Sequence, residues 1–243
     1  MLLNCDLGES YGSWTMGLDE EVMHHIHQAN IACGFHAGDP LTLEHTLDLA
    51  ARHGVSVGAH PAYPDLVGFG RRSMALSADE LRATLRYQIA ALDGMAACHG
   101  LALAYVKPHG ALYNDMMADA AVRATVMHTV ASYHRPLALM LQATPEADRH
   151  REEAAPWNLP LLFEAFADRC YTDDGRLLSR RQPGAVHDHR RTLTQVEQLI
   201  ETGTVTTVSG KRLPLSADTL CVHGDNPEAV AVVAEIRTLV DLG

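Results

Sequence analysis

The sequence predicts an α/β fold, a (β/α) barrel of about seven units, on three observations. Short β-like runs alternate with longer helical patterns from end to end. The runs are mostly apolar, as in parallel strands covered by helices. The polar motifs fall after the carboxyl ends of the predicted strands, which in a barrel converge on one face. The alternation also suits a doubly wound sheet. The glycine fingerprint of a dinucleotide fold is absent after the first strand, as is a GxxxxGK[ST] phosphate loop, and this tilts the choice to the barrel.

Strands are predicted at Leu2–Cys5, Ala29–Cys33, Val55–Ala59, Ala102–Val106, Leu137–Leu141, Leu159–Phe163 and Thr219–Val222. Helical patterns cover Glu20–His27, Leu41–Arg52, Ala78–His99, Ala120–Tyr133, Pro145–Glu153, Leu193–Glu201 and Pro227–Val240. Asp39-Pro40 supplies an N-cap and a first-turn proline. Ser77 and Glu80 have capping-box spacing. Gly54 and Gly100 stand where a left-handed terminator is expected. With no linker or strong repeat, residues 1–243 read as one domain.

The chain has 243 residues, 47% apolar and 20% charged, with a formal net charge of −11. That charge disfavours phosphate backbones and anionic membranes as partners. No apolar run approaches the roughly 20 residues of a membrane span, and no signal peptide is visible, so a cytoplasmic location is expected. The five cysteines, an odd number without CxxC spacing, argue against a disulfide framework. Of the 15 histidines, His24, His25, His134 and His150 read as surface residues. Met16, Met74, Met116 and Met117 read as packing residues.

The chemistry collects after the strands. The motifs are Asn4-Cys-Asp6-Leu-Gly-Glu9, Asn30 to Asp39 with His36, His60 to Asp65, Gly68 to Arg72, Lys107-Pro-His109, Glu164 to Arg169 and His223-Gly-Asp225. Asp6, His36, His60, Lys107, His109 and Asp225 are expected around one cavity. Asp6, His36 and His60 form an Asp/His/His set suited to zinc or another divalent ion. Lys107 and His109 alternate on one extended segment stiffened by Pro108, and a buried lysine there needs an anionic partner. Arg71 lies in a loop able to hold a carboxylate or phosphate.

Seven stretches in this order, Asn4–Glu9, Asn30–Asp39, Gly58–Pro64, Lys107–Asn114, Glu164–Tyr171, Arg180–Ala185 and Val222–Asp225, resemble the LamB/YcsF family of 5-oxoprolinase A subunits, also described as lactam-utilisation proteins. The resemblance implies an irregular seven-stranded (β/α) barrel related to the glycoside hydrolase/deacetylase superfamily. It implies hydrolysis of 5-oxo-L-proline, or a similar small lactam, to L-glutamate, with ATP as co-substrate and separate B and C subunits as partners. The catalytic set is then Asp6, Glu9, His60, Lys107 and His109, with Asp6 as general base or metal ligand. Lys107 and His109 steady the developing oxyanion. The substrate-binding set is Asn30, Arg71, Glu164, Asp168, Arg180, His223 and Asp225, with Arg71 or Arg180 on the substrate carboxylate. By analogy with metal-dependent relatives in the wider superfamily, Asp6, His36 and His60 are the metal ligands. Two alternatives stay open: a metal-dependent amide or carbohydrate deacetylase, and a small-ligand-binding barrel without catalysis.

Overall fold

A computed structural model describes residues 1–242. In chain order the elements are β1 (Leu2–Leu7), α1 (Asp19–Met23), β2 (Gln28–Ala32), α2 (Pro40–His53), β3 (Ser56–His60), α3 (Ala78–Cys98), β4 (Tyr105–Val106), α4 (Gly110–Ala118), α5 (Ala120–Ala131), β5 (Ala138–Gln142), α6 (Ala147–Ala154), β6 (Leu161–Phe166), α7 (His189–Thr202), β7 (Thr204–Thr206), β8 (Arg212–Pro214), β9 (Thr219–Val222) and α8 (Pro227–Leu242). Strands β1 to β6 pair in sequence order, and β9 closes the ring between β6 and β1. Every pair in the ring is parallel. The predicted seven-stranded barrel is therefore present. Among the described residues no helix is long and apolar enough to cross a membrane.

Strand alternation sorts the side chains into two environments. Leu3, Cys5, Leu7, Ala29, Ile31, Val57, Ala59, Leu139, Leu141, Phe163 and Leu220 pack with Leu47, Leu85, Ile89, Leu112, Val126, Val196 and Val233 of the helices in one buried cluster. Each large aliphatic residue buried this way stabilises the fold by about 1.5–3 kcal/mol. The intervening strand residues point into the barrel and are largely polar. Asn4, Asp6, Asn30, Tyr105, Thr219 and Cys221 meet there through contacts that cross the ring. Gly58 belongs to this layer because a Cβ there would collide with the Tyr105 ring.

The helix signals hold. Asp39 caps α2 through Leu41 N and Thr42 N, with Pro40 in the first turn, and Gly54 ends it in the left-handed region at φ 64°. Ser77 and Glu80 form the capping box of α3, and Gly100 follows it at φ 70°.

The strand ends need correction. Four of the seven strands run one to three residues further toward the barrel mouth than the apolar runs suggest: β1 to Leu7, β3 to His60, β5 to Gln142 and β6 to Phe166. By contrast, β2 stops at Ala32 and β4 keeps only Tyr105–Val106. The ladder continues through Asp6, His60, Gln142 and Glu164 because the interior receiving these side chains is polar. Helix Glu20–His27 is shortened to Asp19–Met23, since the His27 amide already donates to Leu3 O in the sheet. Helix α4 and the β7–β8 hairpin were not foreseen, and α7 starts four residues early, capped by Asp188. His150 is buried rather than at the surface, and Met16 is exposed rather than packed.

Candidate active site

The barrel interior is organised from its base upward. Asn4 Nδ2 donates to Thr219 Oγ1 at 3.0 Å. Asn30 Nδ2 donates to Asn4 Oδ1 and Asp6 Oδ1, both at 2.8 Å, and the Tyr105 hydroxyl donates to Asn30 Oδ1 at 2.7 Å. The strand register sets this up, because Asp6 lies beside Asn30 and Asn30 beside Gly58 in the ladder. Asp6 is thus fixed at one oxygen by an amide that is itself fixed.

Lys107, 3% exposed, occupies the centre. Its ammonium lies 2.9 Å from Asp6 Oδ1, 3.0 Å from Glu164 Oε2, 3.2 Å from Asn4 Oδ1 and 3.4 Å from Cys221 Sγ. Burial works against its charge, but Asp6, Cys221 and Glu164 outweigh it and push the lysine well above its ordinary value. Burial likewise favours a neutral Asp6, yet His60 and Lys107 hold that carboxyl well below the usual range. Glu164 is fully buried, with the Lys107 ammonium on one side and the Tyr113 hydroxyl on the other.

Above this pair three imidazoles and a carboxylate gather. His36 Nε2 lies 3.0 Å from Glu9 Oε1, and His109 Nδ1 lies 3.4 Å from the same oxygen. His36 and His109 stack with centroids 3.7 Å apart, and His60 meets both edge-on. Burial, then the neighbouring imidazoles, lowers His36 and His109 well below the ordinary histidine range. Burial raises Glu9, only partly offset by His109. One ligand atom from each of Glu9, His36, His60 and His109 lies within 4.8 Å of the others.

A second group sits at the rim. Asp168 Oδ2 lies 3.0 Å from His223 Nδ1, and Arg180 Nη2 lies 3.3 Å from His223 Nε2. Burial would raise Asp168, but His223 brings it down to about 2. Asp168 in turn raises His223 against the effect of burial. These three and the exposed Asp225 line a cavity of about 480 Å³ walled by Val186, Val222, Ala229 and Val232.

The structure therefore brings Asp6, His36, His60, Lys107 and His109 into one contact network, with Glu9 added. Asp225 lines the neighbouring cavity instead. Asn30 and Glu164 are fully buried beneath the mouth. Arg71 is exposed, its guanidinium 4.9 Å from the Phe69 ring centroid. The Asp/His/His set changes too: Glu9 and His109 join His36 and His60, while Asp6 approaches only His60, at 3.4 Å. Asn4, Tyr105 and Tyr113 were missed as site residues. The signal for Asn4 was its spacing, two residues before Asp6 and so on the same strand face.

The model of the LamB/YcsF family matches residues 1–242. A Pseudomonas putida protein, named as one of the A subunits of 5-oxoprolinase, is 57% identical, covering 99% of this chain and 94% of its own. A Pseudomonas fluorescens protein, also named as a 5-oxoprolinase A subunit, is 56% identical, covering 98% and 95%. The crystal structure of a lactam utilization protein from Thermus thermophilus superposes with a TM-score of 0.91 at 39% identity, covering 100% of this chain and 96% of that one.

Proposed function

Because the chain belongs to the LamB/YcsF family, we propose that it is the A subunit of an ATP-dependent 5-oxoprolinase. It acts in the cytoplasm as one barrel domain and opens the lactam of 5-oxo-L-proline to L-glutamate. The observation that carries this reading is 57% identity, across 99% of the chain, to a protein named for the A subunit of 5-oxoprolinase.

Opening a lactam adds water to the carbonyl carbon, breaks the C–N bond and protonates the departing nitrogen. Asp6 suits the first step. Lys107 and Asn30 engage its Oδ1, His60 and Lys107 keep the group ionised, and Oδ2, which faces His60 Nε2 at 3.4 Å, takes a proton from water. The Lys107 protons already serve Asp6, Glu164 and Asn4, so its role is to hold Asp6 charged rather than to contact the oxyanion. Glu9, His60 and His109 orient water and the carbonyl oxygen above it. Arg180, with His223, takes the substrate carboxylate at the rim, where Asp225 lines the same cavity. Asn30 and Glu164 act through Asp6 and Lys107.

A five-membered lactam is a poor electrophile, which accounts for ATP. The sequence carries no phosphate loop, so ATP activation is assigned to the B and C subunits. The test is glutamate release from 5-oxo-L-proline by the chain alone and with both partners, each with and without ATP. Only the complete mixture with ATP should release glutamate. Turnover by the chain alone, or none from the complete mixture, contradicts the reading. Acetate release from N-acetylated sugars by the isolated chain would favour a deacetylase.

A further inference from the structure

The hydrogen bonds around the three imidazoles leave lone pairs facing each other. His60 Nδ1 lies 2.7 Å from the carbonyl oxygen of Lys107, and His109 Nε2 lies 2.9 Å from that of Phe69. A carbonyl oxygen only accepts, so both of these ring nitrogens carry the hydrogen. In neutral rings the other nitrogens, His60 Nε2 and His109 Nδ1, are then bare, and they face each other at 3.0 Å. Glu9 Oε1 adds further acceptor density 3.4 Å from the bare His109 Nδ1, and it pairs with His36 Nε2 at 3.0 Å. Repelling lone pairs held this close in a buried site need a positive centre between them.

The backbone is shaped to enforce the arrangement. Phe69 adopts a left-handed conformation, φ 53°, which is uncommon for a bulky residue. Its carbonyl is the one that fixes His109. The next residue, Gly70, lies so close that a Cβ there would press on both His109 and His36. Strain kept beside a site is a mark of function when the surroundings hold it in place.

We propose that Glu9, His36, His60 and His109 bind one divalent transition-metal ion, with the carbonyls of Lys107 and Phe69 setting the tautomers of two ligands. A proton on His60 relieves one opposed pair at a time, whereas donor atoms of four residues lie within 4.8 Å of one another here. Three of the six donor separations, 3.0–3.4 Å, match the edge of a tetrahedron with bonds of about 2.0–2.1 Å, which is about 3.4 Å, and all six lie within 4.8 Å. Three imidazoles and one carboxylate suit zinc and its neighbours rather than magnesium or calcium. Asp6 stays outside this set: its Oδ1 is engaged by Lys107 and Asn30, and its Oδ2 approaches only His60 of the four, at 3.4 Å. A metal held there would polarise a bound water or a carbonyl oxygen.

The test is binding, independent of lactam turnover. The folded chain, stripped with a chelator, is titrated with Co²⁺ and followed by visible d–d absorption, then with Zn²⁺ in competition. One Co²⁺ per chain, displaced by Zn²⁺, is expected. Glu9→Gln and His109→Gln should each weaken binding by roughly tenfold or more, since even hydrogen-bond partners of metal ligands act on that scale. Asp6→Asn should retain stoichiometric binding, and circular dichroism confirms that each variant is folded. Absence of stoichiometric binding by the folded wild-type chain overturns the proposal. So does binding that survives both Glu9→Gln and His109→Gln but is lost in Asp6→Asn.

Discussion

Two buried cations in this molecule are treated in opposite ways. Arg123, between the helices, is closed on every side. Its Nε and Nη2 grip Glu153 at 2.6 and 2.9 Å, and its Nη1 donates to the Met116 and Met117 carbonyls at 3.0 and 3.4 Å. His150 approaches Glu153 as well. Lys107 has more acceptors around it than protons, and the mouth above it leaves His36 Nδ1 without a hydrogen-bond partner among the described residues. Buried polar groups are nearly always paired. The helical clip obeys that rule and is a fastening. Around Lys107 the acceptors outnumber the protons, and that surplus marks a place suited to water, substrate or a cation.

Substitutions should separate the two regions. Lys107→Met has the largest expected effect: it strands Asp6 and Glu164 in the interior, lowering stability by about 3–5 kcal/mol and turnover by roughly a hundredfold or more. Adding Glu164→Gln should recover part of the stability in urea unfolding while activity stays lost. A double variant no more stable than Lys107→Met alone would contradict the pairing of Lys107 with Glu164.

Arg123→Met should cost about 1–3 kcal/mol by unpairing Glu153 and two carbonyls, while kcat in the assembled enzyme, measured below the melting temperature, stays near wild type. A large drop in kcat there would erase the distinction between the regions.

The smallest effects concern pH. The Arg123 hydrogen bond brings Glu153 down to about 2. A lowered carboxyl contributes stability above its unfolded value, and that contribution is lost as pH falls from about 4.5 toward 2. Arg123→Met should flatten the wild-type stability loss in that window. His223, raised by Asp168, has the opposite sign. Its contribution is complete below about pH 6.5 and fades as pH rises through the raised value. The stability gap between wild type and His223→Gln should therefore be wider at pH 6 than at pH 9, by chemical denaturation. A gap that widens with pH would overturn the pairing.

Much of the fold was legible because the outward strand residues are apolar and helices α2 and α3 announce their own ends. The strand ends were not. A run of apolar residues stops at Asp6 or Glu164, whereas hydrogen bonding continues through them. The same feature that hides a strand end marks the site: a polar residue on the inward alternation of an apolar strand. Asp6, His60 and Lys107 were readable as members of one mouth for that reason. The assembly of Glu9 with His36 and His109 depends on how three loops fold back over the barrel. The tautomer-setting carbonyls of Phe69 and Lys107 are backbone atoms that no residue pattern specifies. The burial of His150 was hidden for a similar reason: it shares Glu153 with Arg123, which reaches over from another helix.

The polar barrel mouth, centred on an ionised Asp6, is the proposed place of lactam opening. The decisive measurement is the rate of ATP-dependent glutamate release from 5-oxo-L-proline by the chain carrying Asp6→Asn, assembled with the proposed B and C subunits. The melting temperature of the variant is measured alongside. A loss of roughly a hundredfold or more is expected in a chain that is still folded at the assay temperature and still assembles with its partners. A folded, assembled Asp6→Asn enzyme with a near-normal rate would contradict it.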